Sequence, residues 1–264
     1  MVKLGGSVGL GILKVIASAP PRQVLAAPPE GDSKLSAHFS EGLTSRLAGK
    51  TIIDFGCGDG QQAVAMARAA PDCRVIGLDI QKKHLDRSRQ RAVLAGVEDQ
   101  CLFTTHTDEL ADIIVSFDAF EHFSDPLNIL RIMSNLLKPQ GEILISFGPT
   151  WLHPYGGHMF SVFPWAHLLF SEQALLRWRA QFRSDGAKRF EDVDGGLNQI
   201  RIGEFERLVE ASPLKIDWLE TVPIRGLTIL KTRYLREIGS SLVRCRLVLK
   251  QDLPFLDPER MLEA

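Results

Sequence analysis

Cysteine is scarce in this chain, and none of it falls in the patterns that metal sites or disulfide frameworks use. Cys57, Cys73, Cys101 and Cys245 are scattered, with no CxxC spacing. That argues against a disulfide-stapled fold or a zinc ribbon, and suits reduced thiols in a cytoplasmic protein. An excess of one charge sign is also missing, since 31 Lys and Arg stand against 32 Asp and Glu. A molecule so balanced is not a nucleic-acid binder by bulk charge. No run reaches the about 18 uncharged apolar residues that a membrane-spanning helix requires. Internal repeats and low-complexity tracts are absent as well. What is left is ordinary globular composition, 45% hydrophobic and 24% charged over 264 residues. That length allows one large domain, or one domain with a sizeable insertion.

The first twenty residues, MVKLGGSVGLGILKVIASAP, have the outline of a secretory signal: Lys3, an apolar stretch, then Ala17, Ser18 and Ala19. Lys14 interrupts that stretch, and Pro20 directly follows the cleavage position. Residues 1–40 therefore read as a frayed or amphipathic lead-in followed by the proline-rich linker APPRQVLAAPPEGD. The domain proper is expected over 41–264.

From residue 50, strand and helix signals alternate. TIIDF reads as a buried strand and QQAVAMARAA as a helix stopped by Pro71. CRVIGLDI is a strand, KKHLDRSRQRAVLAG an amphipathic helix closed by Gly96, and CLFTTH a third strand. DIIVSFDAF is a continuous apolar strand of the kind buried on both faces. PLNILRIMSNLLKPQG reads as a helix closed by Lys138-Pro139 and Gly141, with EILISF as the fifth strand. This rhythm predicts a parallel sheet covered by helices on both faces. It breaks at 149 and resumes with the helix GEFERLVEAS, the strand KIDWLETV, the helix TILKTRYLREIG and a last strand VRCRLVLK.

IIDFGCGDG, residues 52–60, carries the chemistry. Glycine at every second position lets a ligand approach the backbone without Cβ interference, and the helix that follows offers N–H donors and a positive dipole end. Asp79, about twenty residues on, is placed to accept both hydroxyls of a ribose. A dinucleotide fingerprint is GxGxxG, whereas Gly56, Gly58 and Gly60 make GxGxG and Ala63 stands where the helix first packs. Asp54 just before the turn would repel a diphosphate and suits a ligand bearing an ammonium and a sulfonium.

TIIDFGCGDG, VIGLDI, DIIVSFDAFEHFSDP and LLKPQGEILISF, in this order over residues 50–147, resemble the successive motifs of class I S-adenosylmethionine-dependent methyltransferases. The resemblance implies an α/β fold, a doubly wound Rossmann-like seven-stranded sheet, mostly parallel with an antiparallel last strand. It implies S-adenosyl-L-methionine as cofactor, with Asp54, Gly56, Cys57, Gly58 and Gly60 around its methionine part. Asp79 would take the ribose hydroxyls, and Ile80 would pack on adenine. Thr107 and Asp108 would lie near the adenine amine, although the link between strands three and four is shorter than the family's. Ser116 and Phe117 would end strand four beside the sulfonium, with the Phe117 ring facing that cation. Cys57 is a small turn residue and not a nucleophile, because nothing beside it marks a paired base.

Methyl transfer to a hydroxyl needs an aligned acceptor, exclusion of water and removal of a proton. Glu121 and His122 follow strand four, where acceptor-side chemistry occurs in similar enzymes; His122 reads as a general base or as architecture near the cofactor. Residues 150–190 are expected to form an aromatic substrate cap, with Trp151, His153, Tyr155, His158, Phe160, Phe163, Trp165 and His167. His153 and His158, either side of PYGG, are further catalytic candidates, and His167 reads as structural. At least half of the cap aromatics read as a satellite core. No metal is expected. Arg177, Arg179, Arg183, Lys188 and Arg189, and a second group of Arg225, Lys231, Arg233, Arg236, Arg244, Arg246 and Lys250, read as solvated helix faces.

The sequence thus points to a cytoplasmic methyltransferase acting on a small molecule, by preference at oxygen. Three alternatives stay open: a cofactor-binding regulatory protein without turnover, an NAD(P) oxidoreductase, and a methyltransferase for RNA, protein or lipid. The basic groups keep peripheral membrane contact in view, and oligomeric state is not legible.

Overall fold

A computed structural model describes residues 3–16, 43–70, 72–183, 185–193, 195–232 and 235–250. The proline-rich linker, Pro71 and Arg233 lie outside the described residues. The strands are β1 Thr51–Phe55, β2 Arg74–Leu78, β3 Cys101–Thr104, β4 Ala111–Phe117, β5 Leu137–Phe147, β6 Leu214–Pro223 and β7 Ser240–Leu249. They form one sheet in the order β3-β2-β1-β4-β5-β7-β6. Neighbours are parallel from β3 to β5, and β7 runs antiparallel to both β5 and β6. This is the seven-stranded sheet with an antiparallel last strand that the resemblance implied.

The helices are α1 Gly6–Ile16, α2 Leu43–Leu47, α3 Gln61–Ala69, α4 Lys82–Ala95, α5 Pro126–Asn135, α6 Ala166–Leu169, α7 Glu172–Arg179, α8 Ile202–Glu210 and α9 Arg236–Gly239. Successive strand residues face opposite layers. Ile52, Val75, Ile113 and Val115 join Ala63, Met66 and Leu85 under α3 and α4. Ile53, Ile76, Ile114 and Ile145 join Leu130, Met133 and Phe205 under α5 and α8. Burial on both faces explains why these strands read as unbroken apolar runs.

Local signals set the boundaries. Gly96 closes α4 with a left-handed φ of 67°, its N–H reaching the carbonyls of Ala92 and Val93. Asp125 caps α5 by accepting from Asn128 N at 3.1 Å, with Pro126 in the first turn. Two sequence readings need correction. Helix α5 stops at Asn135 and β5 begins at Leu137, so Lys138, Pro139 and Gly141 belong to the strand. The helix read over TILKTRYLREIG is a 3-10 turn at Thr228–Lys231 and the short α9. Thr228 and Ile229 are β-branched, and Leu227, Ile229, Leu235 and Ile238 are exposed, so no buried stripe holds a longer helix there.

Residues 105–110 join β3 to β4 without a helix. They must pass three strand spacings sideways and about five residue rises back, roughly 22 Å. Seven Cα–Cα steps reach roughly 24 Å when extended, so the link is nearly taut and leaves no slack for a helix.

A third apolar cluster lies in the cap that follows β5. Trp151, Phe160, Phe170, Trp178 and Phe190 are buried in it, and Leu13 of α1 is fully buried among them. Leu4 N donates to Leu169 O and Ser171 N to Leu4 O, which pins α1 to this cap. Ser171 caps α7 through Ala174 N.

The layer under α5 and α8 converges on three rings. Phe205 stands edge-on to Phe120 at 5.1 Å and tilted to Phe147 at 4.9 Å. Phe205→Ala removes a fully buried ring at that junction and is expected to cost about 3–5 kcal/mol. The measurement is urea unfolding, where the midpoint should fall with little change in slope.

Candidate active site

Strand β1 ends at the glycine turn, and the turn is held by the neighbouring strand. Gly56 N and Cys57 N both donate to Leu78 O at 2.9 Å, and Gly60 N donates to Cys57 O at 2.9 Å. All three glycines have positive φ: 80°, 54° and 76° at Gly56, Gly58 and Gly60. Two of them also permit close approach. A Cβ on Gly60 would lie 2.6 Å from Ser88 Cβ of α4, and one on Gly56 would lie 2.9 Å from Ala119 Cβ. Around Gly58 nothing lies within 4 Å of that position, so this side of the turn is open.

Asp54 is buried at 3% exposure at the end of β1. Asp79 follows β2, where Oδ2 accepts from Gly58 N at 3.0 Å and Oδ1 from Gln81 N at 2.7 Å. Each oxygen keeps a further lone pair for an incoming hydroxyl. Ile80 beside it is 89% exposed. Cys57 is buried, and burial, with Asp54 and Asp79 nearby, pushes its thiol far above the usual range. It carries no thiolate at neutral pH.

Ser116 is fully buried near the end of β4, and its hydroxyl has no hydrogen-bond partner. Phe117 is part of the apolar layer under α3 and α4. Thr107 accepts from Glu109 N at 3.2 Å within the β3–β4 link. The Asp108 side chain is 93% exposed and lies 3.4 Å from His106 Nε2 on the same taut link.

The segment after β4 rests on the glycine turn, since Ala119 and Phe123 are the atoms a Gly56 Cβ would meet. Between them the 3-10 turn Phe120–His122 carries Glu121 and His122. Glu121 is buried and accepts from Gly148 N at 3.3 Å. His122 Nδ1 lies 2.9 Å from Gly196 O. A carbonyl can only accept, so in the neutral ring Nδ1 carries the proton and Nε2 the lone pair.

Asn198 fixes this turn from across the chain. Its Nδ2 donates to Phe120 O at 2.8 Å and Phe123 O at 3.0 Å, and its N donates to Glu121 O at 2.9 Å. Sequence reasoning missed Gly196 and Asn198. The signal was the pair Gly195-Gly196, whose φ values of 89° and 66° turn the Gly196 carbonyl back toward His122.

In the cap, the pairing of histidines differs from expectation. His158 meets His122, with ring centroids 5.6 Å apart and planes at 62°, while His153 meets Tyr155 at 6.1 Å. His158 has φ 51°, and its Nε2 is buried without a partner. Burial first, then the neighbouring imidazoles of His122 and His167, push it down to about 4. His153 Nδ1 accepts from Tyr155 N at 3.0 Å, so its proton sits on Nε2, which is also buried and unpartnered. Burial lowers its pKa as well. His167 is structural, with Nε2 donating to Trp151 O at 2.7 Å and Nδ1 accepting from Ser161 Oγ at 2.9 Å. Among the described residues, no group of three or more His, Cys, Asp or Glu is placed to hold a metal ion.

The basic groups also change character. Arg179 is buried in the cap and paired with Asp185. Lys231 and Arg244 share Glu220, Arg236 meets Glu206, and Arg246 meets Glu142 and Asp217. A cavity of about 740 Å³ lies at the opposite end of the sheet, bordered by Arg46, Lys50, Asp112, Lys138, Glu142 and Arg246. Its charges pair with one another, and neither the glycine turn, Asp79, His122 nor the cap histidines border it.

Residues 47–153 match the family model described as a methyltransferase domain. That segment is similar to a methyltransferase domain and holds the glycine turn and strands β1 to β5. The chain is 35% identical over 106 residues to the ubiquinone biosynthesis O-methyltransferase of Aeromonas salmonicida, covering 38% of this chain and 44% of that protein. The chain spans less than half the length of the curated relatives it matches. Among solved structures, the mitomycin 7-O-methyltransferase MmcR superposes with a TM-score of 0.54 at 18% identity, over 83% of this chain and 52% of that one. The [4+2]-cyclase SpnF superposes with a TM-score of 0.51 at 15% identity, over 78% and 77%. Likeness at this identity shows the fold, and a cyclase among the neighbours means that the fold alone does not select the chemistry.

The His158 pKa has a consequence for stability. The unfolded chain protonates this ring near 6.5 and the folded chain only near 4. Between those values the unfolded state binds more protons, so stability present above pH 6.5 is lost as pH falls toward 4. His158→Asn tolerates the left-handed backbone and should lose less stability over that interval than the wild type. Thermal unfolding from pH 7 to 4 checks this.

Proposed function

We propose that this protein is an S-adenosylmethionine-dependent methyltransferase that methylates a hydroxyl of a small molecule, with His122 as general base. The observation that carries the reading is His122 itself. Its segment packs on the glycine turn, its Nδ1 is held by Gly196 O, and its Nε2 therefore bears the lone pair. The match to an O-methyltransferase over the cofactor-binding half supports oxygen as the methylated atom.

The residues present fit the cofactor. Gly58 leaves room beside the turn, Asp79 offers two oxygens with spare lone pairs, and Ser116 places an unpartnered hydroxyl near the end of β4. Asp54, Gly56, Cys57 and Gly60 shape the turn that would hold the methionine part, and Ile80 offers an apolar face to adenine. Phe117 at the end of β4 is assigned to the sulfonium side, and Thr107 and Asp108 on the neighbouring link to the adenine edge. When bound, S-adenosylmethionine supplies a methyl group on a sulfonium, open to in-line displacement by oxygen. His122 Nε2 takes the hydroxyl proton as the acceptor oxygen becomes the nucleophile. His153 and His158 are neutral at pH 7 and would line the acceptor side. A single imidazole taking the whole proton suits an acidic hydroxyl such as a phenol better than an aliphatic alcohol.

We further place the protein in the cytoplasm: its four cysteines are free thiols, and among the described residues no helix is long and apolar enough to cross a membrane.

Calorimetric titration separates these claims. S-adenosylmethionine and S-adenosylhomocysteine should bind and NADH should not. Asp79→Ala should weaken cofactor binding by roughly tenfold or more, as expected for a lost pair of hydrogen bonds to one carboxylate. Unchanged affinity would remove Asp79 from the site. With a phenolic acceptor panel, His122→Gln should lower turnover by roughly 10²–10⁴ and leave cofactor affinity near wild type. Equal loss of both would make His122 architectural, and tight cofactor binding with no turnover on any acceptor would favour a binding protein.

A further inference from the structure

Helix α1 is apolar on two sides, and among the described residues only one of them is packed. Gly9 and Leu13 are buried toward the cap, and a Cβ on Gly9 would lie 2.8 Å from Leu4 O and 3.4 Å from Ala174 Cβ of α7. On the other side Val8, Ile12, Val15 and Ile16 are all exposed, Val15 to 86%. At about 100° per residue, these four fall within an arc of roughly 100° and form one continuous stripe. A helix on the surface of a soluble domain ordinarily turns charged residues outward at these positions.

Two further segments add to the pattern. In the cap to which α1 is pinned, Tyr155, Trp165, Leu169 and Phe182 are exposed. In the connection from β6 to β7, Leu227, Ile229, Leu235 and Ile238 are exposed. The cap leaves the carboxyl end of β5, and β6 runs parallel to β5 because both are antiparallel to β7. Both segments therefore stand at the carboxyl end of the sheet, the end that carries the glycine turn.

The charges decide what such a surface fits. Residues 1–29 contain Lys3, Lys14 and Arg22 and no acidic residue, in a chain whose net charge is −1. Residues 224–239 contain Arg225, Lys231, Arg233 and Arg236 against a single acid, Glu237. That carboxylate is committed to the first turn of α8, accepting from Ile202 N at 3.0 Å and Gly203 N at 2.7 Å. Lys231 and Arg236 already meet Glu220 and Glu206, so exposed Arg225 carries the charge here, with Lys3 and Lys14 on the α1 side. Exposed aliphatic and aromatic side chains interleaved with cations match an anionic bilayer, where the apolar groups enter the headgroup boundary and the cations meet lipid phosphates. A second copy of the chain fits less well, because a two-fold interface on this face would set the same cations against each other.

We infer that α1, with the exposed rim at the carboxyl end of the sheet, docks the protein on anionic membrane surfaces. The inference stands apart from methyl transfer, because a catalytically inactive protein would bind in the same way.

The test is flotation of the full-length protein with phosphatidylcholine vesicles, with and without phosphatidylglycerol. The wild type should float with the anionic vesicles only, and less as salt rises. Val8→Asp/Val15→Asp should reduce that fraction roughly tenfold or more, since two apolar anchors are lost and two repelled charges are added. Both positions are exposed, so far-UV circular dichroism should be unchanged, and Leu227→Asp should weaken binding in the same direction. No flotation, flotation independent of phosphatidylglycerol, or equal flotation of the double variant would each overturn the inference. So would a stable dimer of the wild type that the double variant dissociates, which would make the stripe a self-interface.

Discussion

The close approach at the end of β1 is the constraint on which the site depends. With no Cβ at Gly60, the first turn of α3 sits against Ser88 of α4; with none at Gly56, the chain after β4 sits against the turn itself. A methyl at either place would overlap a neighbouring carbon, and the left-handed φ adds its own penalty. These contacts join three separate segments at one point: the turn, α4, and the loop that carries His122. Ser88 Oγ lies 3.1 Å from Gly58 O and 2.9 Å from His84 O, so its one proton is shared between the turn and its own helix. Gly60 therefore takes the close-packing role that a dinucleotide fingerprint gives to its third glycine, one position pattern earlier.

Most of the first half of the fold was legible in the sequence because the signals there are local. Runs such as IIVSF mark strands buried on two faces, and Gly96 and Asp125-Pro126 mark helix ends through backbone geometry that one or two residues decide. The glycine turn and Asp79 were legible for the same reason. What the sequence hid is non-local. Helix propensity continued past Asn135, but pairing of Leu137 with Ala111 claimed that stretch for β5. The region 224–239 has helix-compatible residues but no stripe to bury, and a helix without a packed face is marginal.

The histidines show the same division. Spacing around PYGG marked His153 and His158 as candidates together. They lie close enough for His153 to oppose a charge on His158, and each takes its orientation from a different partner. The Tyr155 N–H takes the His153 ring, and His158 turns toward His122 on another loop. The basic residues of the C-terminal third read as a solvated face because their partners are distant in sequence. Glu142 and Glu206, which meet Arg246 and Arg236, arrive from other elements. The cap aromatics divide as a satellite core should: Trp151 and Phe160 are inside, Tyr155 and Trp165 at the rim.

That rim and His122 are linked through the character of the cap. The cap builds a dry interior from Trp151, Phe160, Phe170 and Phe190, and it carries His153, His158 and His167 in or against that interior. Desolvation keeps His153 and His158 uncharged at neutral pH, and a charged imidazole beside them would be opposed by the same burial. His122, at the edge of this group, is oriented by a carbonyl and not by a carboxylate. The carbonyl fixes the tautomer of the neutral ring and leaves the lone pair on Nε2. The buried histidines and the carbonyl-held ring of His122 thus present fixed ring nitrogens on one side of the glycine turn, where the proposed acceptor would lie.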